Sequence, residues 1–97
     1  MTRDEILILL RQHKEELKTR FGIEQLALFG SYARDEATRN SDVDLAIMKM
    51  GRTDLWKMAE AMQYLRTLLN KKVDLGKFDS FRPYVRQRVE KELIDVF

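Results

Sequence analysis

Apolar residues recur along the first segment at spacings of three and four: Ile6, Leu10, His13 and Leu17 share one face, which predicts an amphipathic helix from Arg3 to about Arg20. Asp4 and Glu5 stand near its positive end, and Gly22 stops it. From Ile23 to Phe29 the periodicity is replaced by the short apolar run Leu26, Ala27, Leu28, Phe29, which predicts a buried strand running into Gly30-Ser31. A short helical stretch, Tyr32 to Ala37, and a polar turn, Thr38 to Ser41, come next. Asp42 to Met48 then alternates, with Val43, Leu45 and Ile47 on one face and Asp42, Asp44, Ala46 and Met48 on the other.

The second half returns to helical spacing. Gly51 to Asp54 reads as a loop ending in a cap, followed by a helix of about 16 residues whose apolar face is Leu55, Met58, Ala59, Met62, Leu65 and Leu69. Lys72 to Leu75 is a short strand candidate. Asp79 or Ser80 can cap a last helix with Pro83 in its first turn and Val85, Val89, Leu93 and Val96 on its apolar face. The order helix, strand, strand, helix, strand, helix, without a repeat or a Pro/Gly/Ser-rich linker, predicts one α/β domain over residues 1–97. Periodicity leaves open whether the two strands flanking residues 30–41 are parallel or antiparallel.

Composition narrows the chemistry. Among 97 residues there is no Cys, which excludes disulfides, zinc–thiolate sites and thiol nucleophiles. The longest apolar run, Ile6 to Leu10, falls far short of the roughly 20 residues that span a bilayer, and no signal-peptide pattern begins the chain, so a cytoplasmic protein without membrane association is expected. Net charge is +2, but residues 49–72 carry 6 basic and 2 acidic groups, an excess that suits phosphates, an acidic partner or a solvated helix face. With so small a net charge and no recognition motif, direct nucleic-acid binding is not expected. A short domain buries a modest share of its surface, which favours work inside a complex.

The strand that carries Asp42 and Asp44 is the unusual feature. Residues two apart project from one face with Cα atoms roughly 6.5–7 Å apart. Two carboxylates held so close repel unless a cation or proton lies between them. Mg²⁺ suits the pair, because it binds through one or two carboxylates and completes its shell with water and phosphate. Two exposed carboxylates on the wet face of an edge strand are the plainer alternative, although Asp is depleted from strands. Upstream, Gly30-Ser31 ends a buried strand where backbone N–H groups and the Ser31 hydroxyl can receive a phosphate, and Arg34 lies about one helical turn on. Taken singly, these are also what a plain turn and a solvated arginine look like. His13 reads as a core or partner-contacting residue, and the Met residues, Trp56 and Tyr64 as packing beside the long helix, with any exposed subset suited to a protein interface.

Together, Gly30-Ser31, ten intervening residues and Asp42-Val43-Asp44 reproduce the G-S-x10-D-x-D signature of the DNA polymerase beta-like nucleotidyltransferase superfamily. At ordinary residue usage, four fixed positions match by chance about once in 10⁵ starts. The fuller string GSYARDEATRNSDVDLAIM resembles the motif block of the minimal nucleotidyltransferases, commonly antitoxins paired with HEPN-domain ribonuclease toxins. Ser41 and Leu45 agree with that block, whereas Asp35 stands where many relatives have Gly.

The resemblance implies an α/β (α+β) fold with a small mixed sheet of about three or four strands flanked by helices. It implies an enzyme in which Asp42, Asp44 and a third carboxylate, Asp74 or failing that Asp79, hold two Mg²⁺ ions about 3.5–4 Å apart. Gly30, Ser31, Arg34 and Ser41 would position ATP, and Asp74 would help deprotonate the acceptor. The implied reaction is AMP transfer onto a tyrosine of a cognate HEPN RNase toxin, with which the chain would form a hetero-oligomer. Two alternatives stay open: an antitoxin that acts by binding alone, and nucleotidyl transfer onto a small-molecule hydroxyl.

Overall fold

The computed structural model describes residues 1–97. The chain opens with α1 (Arg3–Gln12), started by a reciprocal cap in which the Thr2 hydroxyl accepts from the Glu5 N–H while the Glu5 carboxylate accepts from the Thr2 N–H. The helix expected to run unbroken to Arg20 instead breaks at His13. There Nδ1 lies 2.8 Å from the Leu9 carbonyl, which the His13 N–H would otherwise reach, and that N–H turns to Leu10 O. A side chain that substitutes for the backbone in this way ends the regular ladder. The helix resumes as α2 (Lys14–Phe21) and stops at Gly22, whose φ of 73° is left-handed. The apolar stripe survives the break, with Ile6, Leu10, Leu17 and Phe21 all buried.

The sheet is built from β1 (Ile23–Phe29), β2 (Val43–Met50), β3 (Val73–Lys77) and β4 (Ile94–Asp95), in the order β3-β2-β1-β4. β1 and β2 are antiparallel and β2 and β3 parallel, which makes the sheet mixed, as the resemblance implies. Between β1 and β2 lies a single helical turn, α3 (Gly30–Ala33), and between β2 and β3 lies α4 (Leu55–Leu69). Asp54 caps α4 by accepting from the Lys57 N–H at 2.8 Å, and Asn70 closes it in the left-handed region. One face of the sheet, with Leu26, Leu28, Val43, Leu45, Ile47 and Val73, joins α1, α2 and α4 in the main hydrophobic core.

Three further expectations are corrected. The buried face of α4 is Ala61, Leu65 and Leu69, flanked by Met58, Met62, Tyr64 and Leu68, whereas Ala59 is exposed and Leu55 and Trp56 remain 87% and 81% accessible because the first turn of α4 projects beyond the core. Neither Asp79 nor Ser80 caps the last helix. Both lie in a 3₁₀ turn (Phe78–Ser80), and α5 (Pro83–Glu90) follows Arg82 with Pro83 at its start. Finally, α5 ends at Glu90, so Leu93 and Val96 do not extend its apolar face.

The segment around them instead contains β4 (Ile94–Asp95) and satisfies the open edge of β1. The Val96 N–H donates to Leu26 O at 2.8 Å, and Arg11 donates to Val96 O and Asp95 O at 2.7 and 2.9 Å. Backbone groups on a buried edge need partners, and this demand overrides a helical pattern that was locally plausible. No helix is long and apolar enough to cross a membrane.

Leu65 is fully buried on the inner face of α4, so Leu65→Ala should cost about 2–5 kcal/mol in urea denaturation. Leu55→Ala at the exposed end of the same helix should stay within about 0.5 kcal/mol of the parent.

Candidate active site

Strand register assembles the site. Asp44 lies opposite Phe29 in antiparallel β1 and opposite Asp74 in parallel β3, so two carboxylates stand side by side on the sheet face away from the main core. Asp42 precedes β2 and is exposed, as is Asp74, while Asp44 is half-buried. The chain leaves β1 through Gly30 at φ 78°, and a Cβ there would fall 2.9 Å from the Asp44 Cγ and collide with its carboxylate oxygen. Glycine is therefore required twice, for a left-handed backbone and for room for Asp44.

Gly30, Ser31, Arg34 and Asp44 line one cavity of about 610 Å³, closed on the far side by Val85, Arg88, Val89 and Glu92. The sequence-predicted phosphate residues are thus brought together with the second aspartate of the motif. Asp42 and Ser41 line a neighbouring cavity of about 400 Å³ with the basic residues Arg39, Lys71 and Lys72. Ser41 also holds its own turn, its hydroxyl accepting from the Thr38 N–H at 2.8 Å. Asp79 lies beyond the end of β3, which leaves Asp74 as the carboxylate in register with Asp44.

Sequence reasoning missed Glu92. Its Oε2 accepts from the Gly30 N–H at 3.0 Å and from Arg34 Nη1 at 2.6 Å, so the donors expected to meet a phosphate are already bridged by a carboxylate. No sequence signal could have found this contact, because it depends on β4 folding back along β1.

Burial, and then the charges of Asp74, Asp42 and Glu92, push the Asp44 carboxyl up to about 6, with Arg34 opposing them. A carboxylate raised by burial and by three like charges has the electrostatics of a cation site, and all the donors are hard oxygens, so the residues fit Mg²⁺. No three acidic or histidine side chains cage an ion unaided. Mg²⁺ does not require a cage, since it binds through one or two carboxylates and leaves its remaining positions to water and substrate phosphate.

Asp35, which stands where many relatives of the resembled family have Gly, adopts φ 60°. Its N–H donates to Tyr32 O and the following Glu36 N–H to Ser31 O, closing the turn after α3. The left-handed region suits glycine, and aspartate enters it at some cost.

Comparison with known proteins agrees with this architecture. The family described as nucleotidyltransferase domain matches residues 10–96. A putative protein adenylyltransferase of Methanocaldococcus jannaschii is 44% identical over 94 residues, 96% of each chain. Among solved structures, one described as a putative minimal nucleotidyltransferase superposes with a TM-score of 0.78 at 30% identity, covering 97% of this chain and 95% of the other. A toxin–antitoxin structure with AMP-PNP has a TM-score of 0.71 at 27% identity, covering 100% of this chain and 73% of the matched one.

Two outcomes follow from the site's electrostatics and its turn. Because the folded state holds the Asp44 proton more tightly than the unfolded chain does, ionising Asp44 costs stability as pH rises from about 4 to about 6. With EDTA present, Asp44→Asn should therefore be more stable than the parent by about 1 kcal/mol above pH 6.5, after allowance for solvent screening. The difference should vanish near pH 4, as read by denaturant titration at each pH. Asp35→Gly should raise stability by about 0.5–1 kcal/mol in the same measurement.

Proposed function

Because the chain belongs to the nucleotidyltransferase domain family, we propose that it transfers AMP from ATP onto a hydroxyl of a partner protein, and that the partner is a HEPN-domain toxin it neutralises. The observation that carries this reading is the register of Asp44 and Asp74 beside the Gly30 turn, with Gly30, Ser31 and Arg34 on the same cavity as Asp44. The similarity to a protein adenylyltransferase and to a toxin–antitoxin structure with AMP-PNP supports the nucleotide and the class of partner.

Asp42 and Asp44 are the residues that would hold Mg²⁺, with Asp74 completing the acidic set. The metal, when bound, supplies positive charge to phosphate oxygens that become more negative as pyrophosphate departs. Ser31 can donate its hydroxyl, and Arg34 its free N–H groups, to the polyphosphate and so fix its orientation. The acceptor oxygen, a tyrosine hydroxyl in this reading, attacks the α-phosphorus, the bond to the bridging oxygen of the β-phosphate breaks, and pyrophosphate leaves. Asp74, exposed beside Asp44 on the neighbouring strand, would take the acceptor's proton. The cavity is open and few residues are left to surround an acceptor, so the second substrate completes its own site on docking.

Incubating a purified HEPN-domain protein encoded beside this chain with the chain, ATP and Mg²⁺ should add one or more AMP masses to it by intact mass spectrometry. Asp42→Asn/Asp44→Asn should abolish the addition while leaving the fold intact. An unchanged mass with the parent chain would overturn the reading, and protection of cells by the double variant at matched abundance would show that binding alone neutralises the partner.

A further inference from the structure

Glu92 has no role in the reaction described above, yet it touches two of the residues assigned to the polyphosphate. One oxygen of its carboxylate accepts from both the Gly30 N–H and Arg34 Nη1. Its side chain is only 14% exposed, against 45% for Arg34, so Glu92 is the more enclosed member of the pair. The other carboxylate near Arg34, Glu36, lies 3.5 Å from Nε and is 65% exposed.

The backbone beneath Glu92 is tied down on both sides. β4 pairs with β1 at Leu28↔Ile94 and Ala27↔Asp95, and two further steps along the same register bring Gly30 opposite Glu92. Arg11 grips the other side of this segment through the carbonyls of Asp95 and Val96. With its carboxylate bonded at 3.0 and 2.6 Å and its side chain only 14% exposed, Glu92 is held against the turn, which argues against a plug that an incoming phosphate must displace.

Arginine presents five N–H donors in a planar fork, and Glu92 engages one nitrogen, leaving other donors for a second anion. Glu92 also adds negative charge close to Asp44, a cost that a surface arginine would not require for solvation. We propose that Glu92 is a positioning residue: it locks the Gly30 turn and turns the Arg34 guanidinium toward the polyphosphate, and so determines how strongly the site prefers a nucleoside triphosphate to a monophosphate. This rests on the assignment of the cavity as the nucleotide site.

The preference is read by titrating the full chain, with Mg²⁺, against ATP and separately against AMP. Glu92→Gln keeps the shape and an acceptor for the Gly30 N–H but loses the charge that holds Arg34. It should weaken ATP about tenfold while AMP stays within about twofold. Arg34→Gln should weaken ATP by a similar factor, and the Glu92→Gln/Arg34→Gln double variant by no more than about twofold beyond that, because Glu92 acts through Arg34. If Glu92→Gln does not fold, Glu92→Asp, one methylene too short to bridge both donors, should weaken ATP in the same selective way. Unchanged or tighter ATP binding, a parallel loss of ATP and AMP, or additive losses in the double variant would each overturn the proposal. Failure of the parent chain to bind ATP would instead remove the nucleotide-site reading on which it rests.

Discussion

The burial of one carboxylate beside several others is the constraint on which this structure turns. Asp44 is half-buried in a sheet beside Asp74, near Asp42, and across a cavity edge from Glu92. Left without a cation, this arrangement holds Asp44 far above the ordinary aspartate range and opposes folding at neutral pH. A small domain has little stability to spare, so such a cluster persists where a ligand or metal relieves it. Much of the local geometry can be read as accommodation of the cluster: Gly30 vacates the space beside Asp44, and Arg34 brings a positive charge to it.

The C-terminal segment adds to this cluster rather than relieving it. β4 closes the edge of β1 and delivers Glu92 to the turn that follows β1, so the elements that complete the sheet also complete the cavity. Stability and site geometry are therefore coupled through a few hydrogen bonds, those that Arg11 donates to the tail carbonyls and that the Val96 N–H donates to the Leu26 carbonyl. The exposed Leu55 and Trp56 lie past the other end of β2 from Asp44, at the start of α4. They belong to neither the core nor the cavity.

Where local pattern and tertiary structure demand the same thing, the sequence was readable. The alternation around Val43, Leu45 and Ile47 placed Asp44 on the face away from the main core, and Gly22, Asp54 and Pro83 marked helix ends that the structure keeps. Failures came where one particular hydrogen-bond partner or strand neighbour decides. His13 breaks a periodic helix by bonding to the Leu9 carbonyl, and Leu93 and Val96 leave a helical pattern because β1 has an open edge. The acidic motif and the glycine turn were legible as residues, and the register with Asp74 placed the third carboxylate beside Asp44. Glu92 was invisible, since nothing local distinguishes it from other charged residues near the end of the chain. Asp35 shows the intermediate case: its departure from glycine was evident in the sequence, but only its left-handed φ gives that departure a physical meaning.

Anomalous diffraction from crystals grown with Mn²⁺ and AMP-PNP tests directly whether a metal and a polyphosphate relieve the acidic cluster. If they do, manganese will appear within coordination distance of Asp42 and Asp44, bridged to phosphate oxygens that also meet Ser31 and Arg34. Manganese bound only elsewhere, or a triphosphate seated away from the Gly30 turn, would contradict it.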